Sequence, residues 1–156
     1  MTSNFDQFLI SACSSLKIEE VQKAIQKGAN VNAVGRYSEF PLLACVDFQE
    51  AKDSKLIIEI LDLLLNNGAD IDFQVDDDET ALIHSAWLLH SYDVVEFLLN
   101  KGANPNLIFD GETALDLTSD EISFTATCLD EPDVLDELER IYELLERSGG
   151  KHRKDL

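Results

Sequence analysis

The chain has 156 residues, 45% apolar and 28% charged, which suits one folded domain with its own core and excludes two full ones. Its 31 Asp and Glu against 12 Lys and Arg leave −19 at neutral pH, a surface that repels nucleic acid and anionic membrane and draws basic partners over about a Debye length. No apolar stretch approaches the roughly 18 residues of a membrane helix, and residues 1–5 lack the basic flank and apolar run of a secretory signal.

In chain order, the first unit runs from Phe5 into an apolar helical segment at 21–25 and closes on Lys27-Gly28-Ala29-Asn30-Val31-Asn32. The second opens on Phe40-Pro41-Leu42-Leu43-Ala44, carries a helical segment over 56–65, and closes on Asn67-Gly68-Ala69-Asp70-Ile71-Asp72. The third opens on Thr80-Ala81-Leu82-Ile83-His84-Ser85-Ala86 and closes, after a helix over 94–99, on Lys101-Gly102-Ala103-Asn104-Pro105-Asn106. The fourth opens on Gly111-Glu112-Thr113-Ala114-Leu115-Asp116-Leu117 and ends in a helix over 132–147. There Leu135, Leu138, Tyr142 and Leu145 share one face, with Asp136–Arg140 and Glu143–Arg147 spaced as i,i+4 pairs. This capping helix stops at Gly149-Gly150, and 151–156 reads as a disordered basic tail.

Each unit is a short helix, a turn, a longer helix closed by Gly, and an extended polar loop. Gly permits the left-handed conformation that ends a helix. Thr ahead of an apolar run caps the next helix by accepting an orphan backbone N–H. No unit can bury its apolar face alone, so neighbours must stack.

The opening and closing phrases resemble the ankyrin repeat, with its Thr-Pro-Leu-His opening and Gly-Ala-Asp-Val-Asn close, from Phe5 to about Gly150. The resemblance implies an all-α solenoid of about four helix-turn-helix units joined by β-turn or hairpin loops, with repeats near 5–36, 37–76, 77–109 and 110–150 in one domain. This chain departs from the pattern in places. Phe40 and Gln7 stand where the second and first repeats would open on Thr, and His84 sits one place after the family's His. A repeat of about 33 residues puts about 21 between opening Thr and closing Gly. Gln7 to Gly28 matches at 21, whereas Phe40 to Gly68 is 28, Thr80 to Gly102 is 22 and Thr113 to Gly149 is 36. The extra residues fall near 48–55 and 119–133, as longer helices or as loops.

No catalytic constellation emerges. There is no phosphate-binding Gly loop followed by Lys and Ser or Thr, no His-Glu-x-x-His and no Cys-x-x-Cys. His84 and His90 are six apart and share no helix face for a metal. The run Asp76-Asp77-Asp78-Glu79 lacks the spaced acids, central Gly and final Glu of a calcium loop. Cys13, Cys45 and Cys128 are odd in number and far apart, which reads as free thiols in a reducing, cytoplasmic compartment. The expectation is a non-enzymatic protein with no catalytic residue, cofactor, metal or small-molecule substrate, monomeric when free.

The resemblance also implies that a partner lies in a concave groove lined by loop tips and the first helix of each repeat. In the second repeat those positions are Arg36, Tyr37, Glu39, Asp47 and Phe48. The third presents Asp76, Asp77, Glu79, Trp87 and Leu88, and the fourth Phe109, Asp110, Glu112, Asp120 and Glu121. The first offers Ser14 and Ser15. Rings flanked by carboxylates suit a cationic ligand, although Trp87 and Phe48 could equally pack beneath the inserted segments. The functional expectation is engagement of a basic protein or peptide, most concretely by an immunity protein or antitoxin that blocks a toxin. The alternative is an adaptor for a Lys/Arg-rich tail.

Overall fold

A computed structural model describes residues 3–47, 53–76, 78–129 and 131–156. Helices α1 (Asn4–Ser14), α2 (Ile18–Gln26), α3 (Pro41–Val46), α4 (Ser54–Asn66), α5 (Ala81–Trp87), α6 (Tyr92–Asn100), α7 (Ala114–Cys128) and α8 (Pro132–Arg147) pack as four successive pairs. The first helices of the pairs pack in one row, α1 on α3 on α5 on α7, and the second helices in another, α2 on α4 on α6 on α8. A continuous core runs between the rows, with Leu9, Val21, Leu42, Ile57, Leu64, Leu82, Val94, Leu98, Leu115 and Ile141 all essentially inaccessible.

The closing phrases work as their chemistry requires. Gly28, Gly68, Gly102 and Gly149 all take positive φ, between 83° and 96°. In each case the next residue's N–H returns to a carbonyl five positions back, as from Ala69 to Leu64 at 3.0 Å and from Gly150 to Leu145 at 2.8 Å. The loop that follows is stitched to the next repeat by one side chain. Asn32 accepts the Asp70 N–H at 2.8 Å and donates to the Gly68 carbonyl at 3.1 Å. Asp72 accepts the Asn104 N–H at 2.8 Å, and Asn106 accepts the Lys151 N–H at 2.8 Å while donating to Gly149 at 3.0 Å. The last polar residue of the phrase therefore aligns successive repeats.

Between repeats the chain projects as loops. The last is a hairpin of β1 (Ile108–Phe109) and β2 (Glu112–Thr113), paired antiparallel. Its turn is Asp110-Gly111, with φ of 49° and 83°, the pairing that best tolerates the left-handed region at both turn positions. Ser38 and Asp76, in the earlier loops, also take positive φ.

Three sequence expectations change, and the insertions left open as helix or loop are decided in part. The first helix is capped a turn before Gln7, by Ser3, whose hydroxyl accepts the Asp6 N–H at 3.1 Å while the Asp6 carboxylate accepts the Ser3 N–H at 2.7 Å. The extra residues of the fourth repeat lengthen α7 and α8 to 15 and 16 residues, with only 129–131 between them. In the second repeat α4 has 13 residues against nine in α2 and α6, and the rest of that insertion, 48–52, lies outside the described residues. On α8, Arg140 pairs with Glu137 at 2.8 Å rather than with Asp136, because Glu137 also accepts the Tyr92 N–H and Arg140 covers the Tyr92 ring at 4.4 Å. Residues 151–153 make long-range bonds where a loose tail was expected.

Candidate interaction face

The row α1, α3, α5 and α7 contains no Lys or Arg at all. The described cations sit elsewhere. Lys17, Lys23, Lys27, Lys55, Lys101, Arg140 and Arg147 belong to the α2, α4, α6 and α8 row or its ends, and Lys151, Arg153 and Lys154 to the last segment. Arg36 rides on a loop of the α1–α7 side, and the last segment docks on the start of α7. Lys and Arg are therefore sparse on that side among the described residues.

Two recesses open there. The smaller, about 500 Å³, is floored by Ile10, Leu43 and Ala44 and bordered by Ser11, Ser14 and Tyr37. Its carboxylates are Glu39, Asp47, Asp78 and Glu79. Tyr37 is 86% exposed, the most open large apolar side chain described. Glu39 is fixed by accepting the Tyr37 N–H at 2.6 Å, and Asp78 by accepting the Glu79 N–H at 2.9 Å. Beneath lies His84, whose ring bridges Glu79 (2.6 Å) and Asp47 (3.6 Å). The larger recess, about 790 Å³, runs between loop tips and is lined by Ser38, Val75, Asp76, Asp78, Phe109 and Asp110, among others. Asp78 belongs to both, so the two form one acidic surface.

In the fourth repeat the acids act on one another. Glu112 has its pKa raised, first by burial and then by repulsion from Asp120, Asp116 and Asp110. Asp116 goes the other way. Burial pushes its pKa up, but bonds from the Thr113 N–H, the His152 ring, the Arg153 N–H and the Thr113 hydroxyl outweigh that and hold it at about 2. The His152 contact is 2.6 Å and the Arg153 contact 2.8 Å. The Lys151 carbonyl accepts from the Thr113 hydroxyl at 2.8 Å, and the Tyr142 hydroxyl meets His152 at 3.2 Å. These long-range bonds pin residues 151–153.

A family model of ankyrin repeats matches residues 9–109 as three copies. The chain belongs to the ankyrin-repeat family. It is 31% identical over 104 residues to an ankyrin repeat protein of Acanthamoeba polyphaga mimivirus, covering 65% of this chain and 61% of that protein. Ankyrin repeats are generally protein–protein interaction modules. Among the described residues no helix is long and apolar enough to cross a membrane.

Within this ankyrin stack the expected site residues fall into groups. Tyr37, Glu39, Asp47 and Glu79 share the smaller recess, and Asp76, Phe109 and Asp110 the larger. Glu112 and Asp120 interact in the fourth repeat. Trp87 and Phe109 pack on one another, ring centres 5.9 Å apart, so much of each ring is spent on joining α5 to the next loop. Leu88 is exposed at the end of α5, while Arg36 and Glu121 line neither recess. Phe48 and Asp77 lie outside the described residues. Asp78 was missed, although it stood in the acidic run, and its place in both recesses makes it central. The absence of Lys and Arg from the first helix of every repeat was also readable in the sequence, once helix boundaries were known.

Proposed function

We propose that this ankyrin protein binds a basic protein through the α1–α7 side and its loop tips. The observation that carries the reading is the segregation of charge: a joined pair of recesses with carboxylates at Glu39, Asp47, Asp76, Asp78, Glu79 and Asp110 and no Lys or Arg in their lining among the described residues. Such a field speeds encounter with a cationic surface and disfavours acidic competitors. A partner whose basic surface serves a polyanionic substrate would be neutralised by this engagement, the immunity-protein form of the proposal. An adaptor holding a Lys/Arg-rich tail uses the same surface.

The test is capture on immobilised protein at low and moderate salt, with identification by mass spectrometry. A variant carrying Asp76→Asn, Asp78→Asn and Asp110→Asn serves as control, because Asn tolerates the left-handed turn conformation and changes only charge. Basic proteins should be enriched, released by salt and weakened by the variant. Enrichment of neutral or acidic proteins that the variant retains equally would overturn the proposal.

A further inference from the structure

His84 is more than nine-tenths buried, 7% exposed, yet both ring nitrogens point at carboxylates from different repeats that border the smaller recess. Nδ1 lies 2.6 Å from Glu79 and Nε2 3.6 Å from Asp47, the residue that follows α3. Resting on the reading of this face as the seat of a basic partner, we propose that the recess is a proton-linked socket for one guanidinium or ammonium side chain, with His84 as the internal competitor. The floor of Ile10, Leu43 and Ala44, the outer edge of the core where α1 meets α3, gives an aliphatic stem an apolar surface, while exposed Tyr37 offers a ring face to the charge. The carboxylates supply the complementary sign.

An incoming cation must share Asp47 and Glu79 with the imidazole. Protonated, His84 already compensates both and presents a like charge under the floor. Neutral, it leaves them to the partner. Binding therefore expels the imidazolium proton to solvent, and by reciprocity loss of that proton strengthens binding. The charged groups facing His84 are Glu79 from its own loop and Asp47 from α3, with Glu39 and Asp78 in the same recess. The other helices packed on α5, α6 and α7, bring apolar side chains such as Val94 and Leu115 to the shared core. The sign is fixed by the geometry: affinity rises as the imidazolium loses its proton with increasing pH.

A fluorescein-labelled tetra-arginine peptide, with tetra-citrulline as the neutral control, probes the socket by anisotropy between about pH 5.5 and 8. In parallel, NMR follows the His84 ring of the wild-type protein through the same titration with and without peptide, so the result does not depend on His84→Gln folding. Expected are shift changes centred on Tyr37 and His84, affinity that rises roughly five- to tenfold with pH, and a His84 titration displaced to lower pH by the peptide. Asp47→Asn should weaken binding, and His84→Gln, where folded, should flatten the pH dependence. Tetra-arginine bound with pH-independent affinity and an undisplaced ring titration would overturn the linkage while leaving the acidic-face reading intact. No binding at low salt, or equal binding of tetra-citrulline, would sink both.

Discussion

Asp116→Asn keeps the side chain's shape and removes its charge, in a setting where the structure allows the loss to be sized. The carboxylate accepts from the Thr113 and Arg153 N–H groups and the Thr113 hydroxyl, and pairs with the His152 ring. Together these lower its pKa from 3.8 to about 2 against the opposing effect of burial. At about 1.4 kcal/mol per unit this amounts to about 2 kcal/mol, with little loss to solvent screening because the side chain is 19% exposed. A depressed folded-state pKa stabilises fully above the unfolded value and is lost as pH falls through the folded one. The contribution is complete at neutral pH and has dropped to about 1 kcal/mol near pH 3. Urea denaturation of wild type and Asp116→Asn at pH 7 and pH 3 should show the variant less stable by about 1 to 2 kcal/mol at pH 7, with the gap roughly halved at pH 3. The same window should shrink in a chain ending at Gly150, which lacks His152 and the Arg153 N–H. Equal stability at pH 7, or a gap that stays constant on acidification, would show that these bonds do not favour the ionised carboxylate.

Leu64 and Leu98 are fully buried between the helix rows. Replacing either with Asp forces a carboxylate into that core at a cost on the order of 4 kcal/mol or more, so the helical circular dichroism signal and the cooperative transition should both collapse; a folded Leu64→Asp protein would contradict the stacking. Among the thiols, Cys13 and Cys45 are inaccessible and Cys128 is exposed. Burial pushes the Cys45 thiol well above its usual range, helped by its hydrogen bond to Cys13 and repulsion between the two. Iodoacetamide should therefore add one group to the native protein and three after denaturation, and rapid native labelling of Cys45 would refute the burial.

Much of the repeat was legible because its signals are local. Gly28, Gly68 and Gly102 end helices through their own backbone freedom, and Thr80 and Thr113 cap helices by accepting the N–H three residues on. The helix over 132–147 stood out by its apolar spacing, and α8 has those bounds. The insertion at 119–133 was ambiguous between helix and loop, since 119–128 is rich in Ser, Thr and exposed side chains with no clear apolar stripe. Its helicity comes from docking against α8. The basic end looked loose for a similar reason: Asp116 is 36 residues from His152, and nothing near residue 152 announces the contact.

Sequence alone determined the repeat architecture and the excess of acid, because helix ends, caps and composition are carried by neighbouring residues. Which acids converge was decided only by stacking. Asp47 and Glu79 come from successive repeats and meet across His84, Asp78 joins two recesses, and Trp87 is drawn into a contact with Phe109. Those meetings depend on how far each loop reaches and how the helices register, distances set by packing across the whole core rather than by any short run of residues.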